Sequence, residues 1–336
     1  MQLLSNVLPR LPRSRGLSAS PGRSLMAALA SALLSGALVQ AGLAQAAPQA
    51  AAQAPLRFVL IPKVSHPWYD VVRQGAEQAG RMIQQQSGRA VVIDYQPPAS
   101  AQLTLQAQLL EAAIRSRADG ITIDLLDAEG LRPLLLQARS DGIALTVFDS
   151  EAPADLAIPS IGNDFCQQAQ IASQRLVDLL GGKGQVAIMH GVPTAPNHAI
   201  RVSCHQQLFG QHPGIQVVAT PADNDDIATA EREALATMRR FPALRGWVVA
   251  DAGGGIGVAR AVKALGRQGA VQVVGIDDLP DLLTQIKGGV IDSTSATRPI
   301  AQGYWSVLSL WQQRLGAPVI EHFDTGIAVK GAAAGR

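Results

Sequence analysis

The pattern that decides the fold lies between Leu56 and Tyr95, which reads LRFVLIPKVSHPWYDVVRQGAEQAGRMIQQQSGRAVVIDY. A run of apolar residues, Phe58 to Ile61, opens this stretch, and a second run, Val91 to Tyr95, closes it. Between the two runs, apolar positions recur at spacings of three and four. These positions are Val72, Ala76, Ala79 and Ile83. Such spacing places them on one face of a helix, so the stretch predicts a strand, a helix and a second strand.

The same alternation continues along the chain. Further strand-forming runs are 121–124, 144–148, 186–189, 215–219, 247–250, 271–276 and 290–294, and further helical stripes are 101–117, 163–180, 226–240 and 298–315. Alternating strands and helices indicate parallel sheets that are covered by helices on both faces. About nine strands favour two doubly wound α/β domains over one large sheet.

The first 46 residues carry four arginines and no acidic residue. An uncharged segment rich in Leu and Ala follows Arg23 and leads to Ala44-Gln45-Ala46. A basic flank, an apolar segment and an A-x-A site are typical of a secretory signal peptide. The alternative is an uncleaved membrane anchor, because the uncharged segment approaches the length of a bilayer span. We expect residues 1–46 to be a cleaved signal peptide and residues 47–55 to be a linker.

The composition is that of a folded, soluble chain, with 336 residues, 47% hydrophobic residues and a formal net charge of +2. Without the four arginines of the first 46 residues, 24 basic and 26 acidic residues remain, a net charge of −2. The apolar content excludes a disordered chain. The small net charge gives no sign of the basic patch that binding to nucleic acid requires.

No motif indicates an enzyme or a cofactor. The sequence has no G-x-S-x-G, P-loop, H-E-x-x-H or C-x-x-C pattern. The glycines between Gly253 and Gly257 fit no register of G-x-G-x-x-G, and His198 with His205 would make a poor metal site. We therefore predict no catalytic residue, no cofactor and no metal.

Polar residues follow most of the apolar runs, at the strand ends where doubly wound sheets bind ligands. The acidic ones are Asp124, Asp149, Asp251 and Asp277. These four carboxylates would converge on one cleft if two lobes face each other. Alternatively, each aspartate caps the next helix, as aspartate commonly does. Asp225 and Asp226, by contrast, precede the helical stripe 226–240, and we interpret their charges as complementing its dipole.

Four motifs occur in a fixed order that resembles a known family. They are His66-Pro67-Trp68-Tyr69 after the first strand, Asp149 within Thr-Val-Phe-Asp-Ser, Ile161-Gly162-Asn163-Asp164 before a helix, and Val274-Gly275-Ile276-Asp277-Asp278 at a late strand. Over residues 56–330 the chain resembles the periplasmic sugar-binding proteins of ABC importers, the ribose-binding-protein-like group of type I periplasmic binding proteins. The resemblance implies two lobes joined by three crossover strands, which close on a small ligand.

The resemblance also implies domain boundaries and partners. The N-terminal lobe would be residues 55–161 plus 298–323, and the C-terminal lobe residues 163–296 plus 324–330. We expect a periplasmic monomer that captures a monosaccharide or a related polyol and presents its closed form to an ABC permease. A sensor of the same fold, which signals to a membrane receptor or histidine kinase, is the alternative. Repressors of the lac type share this core, but residues 24–56 hold no charge for a DNA-binding segment.

Ten residues stand at positions that correspond to the family's ligand-binding residues. They are His66, Trp68, Tyr69, Asp124, Asp149, Asn163, Arg201, Asp251, Asp277 and Thr297. The resemblance implies that Trp68 and Tyr69 form the aromatic pair against the sugar ring, although a place in the core is the alternative for one of them. For Arg201 the alternative is a surface salt bridge.

Two departures from the family pattern leave the identity of the sugar open. Ser150 follows Asp149 where pentose and hexose binders often have arginine, and the usual Arg-x-x-Gly-Phe reads Arg201-Val-Ser-Cys-His. The two cysteines, Cys166 and Cys204, form either a disulfide in an oxidising compartment or two separate buried thiols.

Overall fold

The computed structural model describes residues 53–331 as two α/β lobes, each built on a six-stranded sheet. The predicted signal peptide, residues 1–46, lies outside the described residues, as does the first part of the predicted linker. None of the helices within 53–331 is both long enough and apolar enough to cross a bilayer.

The described residues contain twelve strands and nine α-helices. The strands are β1 (Leu56–Ile61), β2 (Val91–Tyr95), β3 (Gly120–Ile123), β4 (Ala144–Phe148), β5 (Ser160–Gly162), β6 (Gly184–Met189), β7 (Ile215–Ala219), β8 (Leu244–Val249), β9 (Gln272–Ile276), β10 (Ser293–Ala296), β11 (His322–Asp324) and β12 (Ala328–Gly331). The helices are α1 (Pro67–Ser87), α2 (Leu103–Arg115), α3 (Ala128–Ser140), α4 (Phe165–Leu180), α5 (Pro196–Gly210), α6 (Ile227–Arg240), α7 (Gly254–Ala264), α8 (Pro280–Lys287) and α9 (Pro299–Arg314).

The two sheets have the same strand order. In the first lobe the order is β2-β1-β3-β4-β5-β11 and every pair is parallel. In the second lobe the order is β7-β6-β8-β9-β10-β12, and only the pair of β10 with β12 is antiparallel. The predicted fold class, two doubly wound lobes, is confirmed.

The chain passes between the lobes three times, after β5, after β10 and after β11. These three crossovers confirm the connection between the lobes that the resemblance implies. The domain boundaries themselves, residues 55–161 plus 298–323 and 163–296 plus 324–330, stay a prediction.

Strand β1 shows how the sequence builds the first lobe. Phe58 and Leu60 pack into one apolar cluster with Val72 of α1, whereas Val59 packs into another with Leu110 of α2. Successive side chains of a strand point to opposite faces, so β1 has to be apolar on both sides when helices cover both faces.

Helices α1 and α9 approach each other closely at two glycines. A Cβ atom at Gly75 would lie 2.0 Å from the carbonyl oxygen of Ile300, and one at Gly303 would lie 1.9 Å from that of Val72. Only glycine fits at such distances. This contact anchors α9, which follows the second crossover, beside the first residues of α1.

One predicted strand is wrong in its position. The sequence predicts a strand at 290–294, but β10 is Ser293–Ala296. Gly289 has φ of 70°, and the amides of Val290 and Ile291 bond back to the carbonyl of Gln285. Val290 and Ile291 therefore supply buried apolar surface in a turn, which the apolar pattern alone cannot distinguish from a strand.

Candidate functional site

Residues at the carboxyl ends of strands in both lobes meet in one buried cavity. Its lining is Lys63, His66, Trp68, Tyr69, Asp149, His198, Arg201, Asp225, Asp251, Ala252 and Asp277. Seven of the ten predicted site residues belong to this lining. Asp124, Asn163 and Thr297 lie behind it, and each contacts or supports residues of the lining.

Asp149 and Asp277 occupy equivalent places in the two lobes. Each follows the last residue of its strand, Phe148 of β4 or Ile276 of β9, and each has a left-handed backbone, with φ of 43° and 64°. Aspartate tolerates this conformation better than most residues. The strand ends thus place one carboxylate from each lobe at the cavity.

Thr297 holds Asp277 in place. Its amide donates to Asp277 Oδ1 over 3.1 Å, its hydroxyl bonds to the same oxygen, and its Oγ1 accepts from Trp68 Nε1 at 3.2 Å. Thr297 lies just after β10, at the second crossover. Burial raises the pKa of Asp277 to about 6, against the opposing effect of Arg201.

Asp251 both caps a helix and lines the cavity. Its Oδ2 accepts hydrogen bonds of 2.8 Å from the amides of Gly253 and Gly254 at the start of α7. Its Oδ1 has no partner among the described residues. Of the four strand-end aspartates, Asp251 is therefore the one that bonds to the start of the next helix, although Gly253 is the N-cap residue itself, and both bonds use Oδ2.

A buried ion pair lies beneath the first-lobe side of the cavity. Lys63 Nζ is 2.6 Å from Asp124 Oδ2, and the Tyr69 hydroxyl donates to the same oxygen over 2.8 Å. Burial alone would lower the pKa of Lys63, but Asp124, Asp225 and Asp149 together raise it, so Lys63 stays charged. Asp124 thus fixes Lys63 and Tyr69, which face the cavity.

Arg201 is a buried cavity residue and makes no surface salt bridge. Its side chain is 2% exposed, and its Nη2 lies 3.5 Å from Asp149 Oδ1 across the cleft. Nε donates to Gln168 Oε1 over 2.9 Å, and the guanidinium stacks 4.9 Å above the Phe165 ring. Gln168 Oε1 also accepts from Asn163 Nδ2 at 3.1 Å, so Asn163 acts on the site through Gln168.

The aromatic pair and His66 form the first-lobe wall. Trp68 and Tyr69 are both buried, with ring centroids 5.2 Å apart and an interplanar angle of 89°. His66 Nδ1 accepts from the Trp68 amide and caps α1. In the neutral ring the hydrogen must then lie on Nε2, which has no partner within residues 53–331.

Four lining residues are absent from the sequence-based site, namely Ala252 and three polar residues, Lys63, His198 and Asp225. Lys63 follows the first strand and was visible as a strand-end polar residue. His198 Nδ1 accepts from the Val192 amide over 2.8 Å, so its Nε2 carries the hydrogen and lies 3.8 Å from Asp225 Oδ1. The interpretation of Asp225 as a helix charge is corrected here, because Asp226 alone caps α6, by accepting from the Thr229 amide.

The disulfide question is settled by the geometry. Cys166 and Cys204 are bonded, which joins α4 to α5. Helix α4 carries Gln168 and α5 carries Arg201, the two side chains that meet behind the cavity. The disulfide thus ties together the two helices that position the only arginine of the lining.

The cavity is nearly closed. Only about 20 Å³ is open to the centre of a water molecule, enough for roughly one water. A ligand of monosaccharide size can enter only when the lobes separate.

The sequence of residues 57–318 matches the family model described as a periplasmic binding protein domain. This chain is a periplasmic binding protein. The family consists of solute-binding proteins, not enzymes, as the sequence predicts.

Curated relatives of this periplasmic binding protein include the D-ribose/D-allose-binding protein of Pseudomonas aeruginosa, which is 23% identical over 66% of this chain and 71% of the relative. A solute-binding protein of an ABC transporter from Burkholderia graminis, solved in complex with D-arabinose, has a TM-score of 0.77 and 28% identity. That match covers 83% of this chain and 96% of the other. The structure named XylFII-LytSN complex shares the fold, with a TM-score of 0.76 and 24% identity, over 84% of this chain and 99% of the other.

Proposed function

We propose that this periplasmic binding protein captures a monosaccharide or a related polyol between its lobes and delivers it to an ABC importer. The proposal rests mainly on one observation. Asp149 of the first lobe and Asp277 of the second flank the same buried cavity, together with Arg201. A ligand held by both carboxylates bridges the lobes and stabilises their closed arrangement.

The chemistry of the lining suits a polyhydroxylated ligand. Carboxylates accept hydrogen bonds from hydroxyls, whereas Arg201, Lys63 and the Nε2 hydrogens of the two histidines donate to hydroxyl oxygens. Each hydrogen bond to a charged group contributes roughly 1.5–3 kcal/mol, so a few of them can hold a ligand against competition from water. The rings of Trp68 and Tyr69 offer an apolar wall to the carbon face of a sugar.

The ten predicted residues divide into two roles in this proposal. Those in the lining bind the ligand directly. They are His66, Trp68, Tyr69, Asp149, Arg201, Asp251 and Asp277. Asp124, Asn163 and Thr297 are positioning residues, because each bonds to a lining residue or to its support. Lys63, His198 and Asp225 join the first group.

We also propose that residues 1–46 direct export, that the mature protein is periplasmic and that it is a monomer. Delivery to a permease is favoured by the relatives, which include a solute-binding protein of an ABC transporter. Signalling to a membrane receptor stays the alternative prediction.

A thermal-shift screen against monosaccharides and polyols tests the binding role. A ligand at 100 times its Kd adds about 2.7 kcal/mol to the free energy of unfolding, which raises Tm by several degrees. The absence of a shift with every sugar and polyol would contradict the proposal.

Cells that lack this protein should also lose uptake of the sugar that binds. Normal uptake with loss of a transcriptional response would favour the sensor instead.

A further inference from the structure

The cavity lining has more carboxyl groups than cationic side chains, with four aspartates against one lysine and one arginine. Lys63 is paired with Asp124 at 2.6 Å, and Arg201 lies nearest Asp149 at 3.5 Å. Among the lining carboxylates this leaves Asp225, Asp251 and Asp277 without a lysine or arginine within 4.0 Å in the described part of the chain. The acidic excess is therefore a property of the binding site itself.

The excess is concentrated on the second-lobe wall, in the loops after β7 and β8. The Asp225 side chain is only 9% exposed, and its Oδ2 finds no hydrogen-bond donor within residues 53–331. Asp251 Oδ1 and Asp223 Oδ2 also lack a donor from another residue, but these two carboxyls lie side by side and can share one proton. Buried acceptors without donors are rare in folded proteins because they cost free energy. These oxygens mark a place where a donor is missing.

The neighbouring histidines do not supply the missing charge. His198 and His66 each use Nδ1 as an acceptor, and burial lowers the pKa of both rings, so both are neutral at pH 7. A bound metal ion does not fit either, since no cluster of three or more histidine, cysteine, aspartate or glutamate residues in 53–331 has the geometry to hold one. Burial raises the pKa of Asp223 and Asp225, and raises that of Asp251 to about 7, so these carboxyls take up protons easily while the wall holds no cation. A cationic ligand would balance the same wall with the carboxylates ionised.

We propose that the ligand carries a protonated amino group beside its hydroxyls, as an amino sugar or an aminopolyol does, and that Asp225 and Asp251 receive this group. The inference rests on the proposed function and specifies its ligand class. An ammonium group has three N–H donors and a full charge, so it satisfies the free oxygens of both carboxylates at once. A hydroxyl in the same place has one donor and leaves the negative charge unbalanced. Trp68 and Tyr69 in the same lining favour a cation as well.

Calorimetry on the purified protein with matched ligands tests this inference. The sets are D-glucosamine with D-glucose and N-acetyl-D-glucosamine, D-galactosamine with D-galactose, and 1-amino-1-deoxysorbitol with sorbitol. We expect at least one amine to bind about tenfold or more tighter than its neutral partners, a difference of 1.4 kcal/mol or more.

The outcomes separate this inference from the proposed function. If a neutral sugar binds as tightly as its amine, the inference is overturned and the sugar-binding role stands. If putrescine binds and no sugar, polyol or amino derivative does, the ligand class inferred here and the sugar-binding role are both overturned, and the wall is a site for a simple amine. If none of these compounds binds, both fail.

Two variants test whether the second-lobe wall binds the amino group of the ligand. Asp225→Asn should reduce the preference for the amine over its neutral partner by about tenfold or more, with little change in the affinity for the neutral partner. Asn tolerates the left-handed backbone at this position, where φ is 59°. Asp226→Asn is the matched control, because it removes the same charge one residue away, at an exposed helix cap that Asn also provides. An unchanged preference in Asp225→Asn, or an equal loss in Asp226→Asn, contradicts the assignment. Should Asp225→Asn fail to fold, Asp251→Asn applies the same test.

Discussion

Asn197 of the second lobe donates a hydrogen bond from Nδ2 to Oδ2 of Asp149 in the first lobe, over 2.8 Å. Its Oδ1 lies 3.4 Å from Lys63 Nζ, also in the first lobe. One amide side chain from α5 thus contacts both a carboxylate and an ammonium across the cleft. These contacts exist only while the lobes are together.

Loss of these contacts should open the unliganded protein. Asn197→Ala removes these two of the bonds between the lobes, so we expect a larger radius of gyration than that of the wild type without ligand. With a saturating ligand from the screen, both proteins should contract to the same radius. Small-angle X-ray scattering measures the radius of gyration of both proteins. Scattering profiles that stay the same with and without ligand in both would rule out a hinged clamp.

Single carboxylate-to-amide changes test the two strand-end aspartates. Asp149→Asn and Asp277→Asn should each weaken ligand binding by about tenfold or more, because a charge-assisted hydrogen bond is replaced by a neutral one. Asn tolerates the left-handed backbone of both positions, so the fold should persist. Asp164→Asn at the exposed cap of α4 serves as the control. Wild-type affinity in both cavity variants, measured by calorimetry, would refute the site.

The pH dependence of the free energy of unfolding should reveal the raised pKa of Asp277. Burial raises its pKa to about 6, above the ~4 of a carboxyl in an unfolded chain. The folded state therefore binds this proton more tightly, and the resulting stability is complete below about pH 4 and is lost as the pH rises through 6. The variant Asp277→Asn has no carboxyl to titrate at this position, so it does not lose this stability as the pH rises.

The Tm of unliganded Asp277→Asn should therefore rise relative to the wild type between pH 4.5 and pH 7.5. A pKa raised from ~4 to about 6 corresponds to about 3 kcal/mol at most. Differential scanning calorimetry at the two pH values checks the sign. A Tm difference that stays constant or falls over this range would show that Asp277 does not titrate this way.

Reduction should destabilise the second lobe. The disulfide between Cys166 and Cys204 spans 38 positions, and closing a loop of this size in the unfolded chain is worth roughly 3–4 kcal/mol. The double variant Cys166→Ser with Cys204→Ser should therefore melt several degrees lower. Its Tm should be insensitive to reductant, whereas that of the wild type should fall when dithiothreitol is added. No effect of reductant on the wild type would mean that the bond is absent.

The contact between α1 and α9 gives a packing prediction. Gly303→Ala places a methyl group against the Val72 carbonyl and should lower the free energy of unfolding by about 1–3 kcal/mol or more. Gly210→Ala, where a Cβ atom meets nothing within 4 Å, is the matched control in helix α5 and should leave the stability unchanged or raise it by up to about 1 kcal/mol. Urea unfolding compares the two, and equal stabilities would mean that α9 can move away from α1.

The sequence predicts the architecture well because apolar periodicity is a local property of the chain. It cannot predict β5, β11 or β12 as strands in the same way, since each has three or four residues and β11 and β12 are partly exposed. These strands exist because a neighbouring strand offers hydrogen bonds, which is a tertiary effect.

The candidate site is predicted in part for a related reason. The strand-end rule finds Asp149, Asp251 and Asp277 because Asp149 and Asp277 directly follow their strands and Asp251 lies two positions after β8. Asp225 lies six positions beyond β7, beside a genuine helix cap, so its local pattern indicates a cap. Only the folded loop shows that its side chain turns into the cavity. Neither Thr297 nor Asn163 reaches the lining, because the crossover residues support it from behind.

The glycine contact between α1 and α9 also bears on the order in which the molecule assembles. Helix α1 belongs to the first part of the described chain, yet its partner comes from near the other end, after the whole of β6 to β10. The lobe that the ribosome begins first is therefore completed only after all of the second lobe except β12 has been made. Until residue 303 has been made, the groove of α1 around Gly75 has nothing to fill it, and a nascent chain halted before that point would hold a nearly finished second lobe beside an unfinished first one.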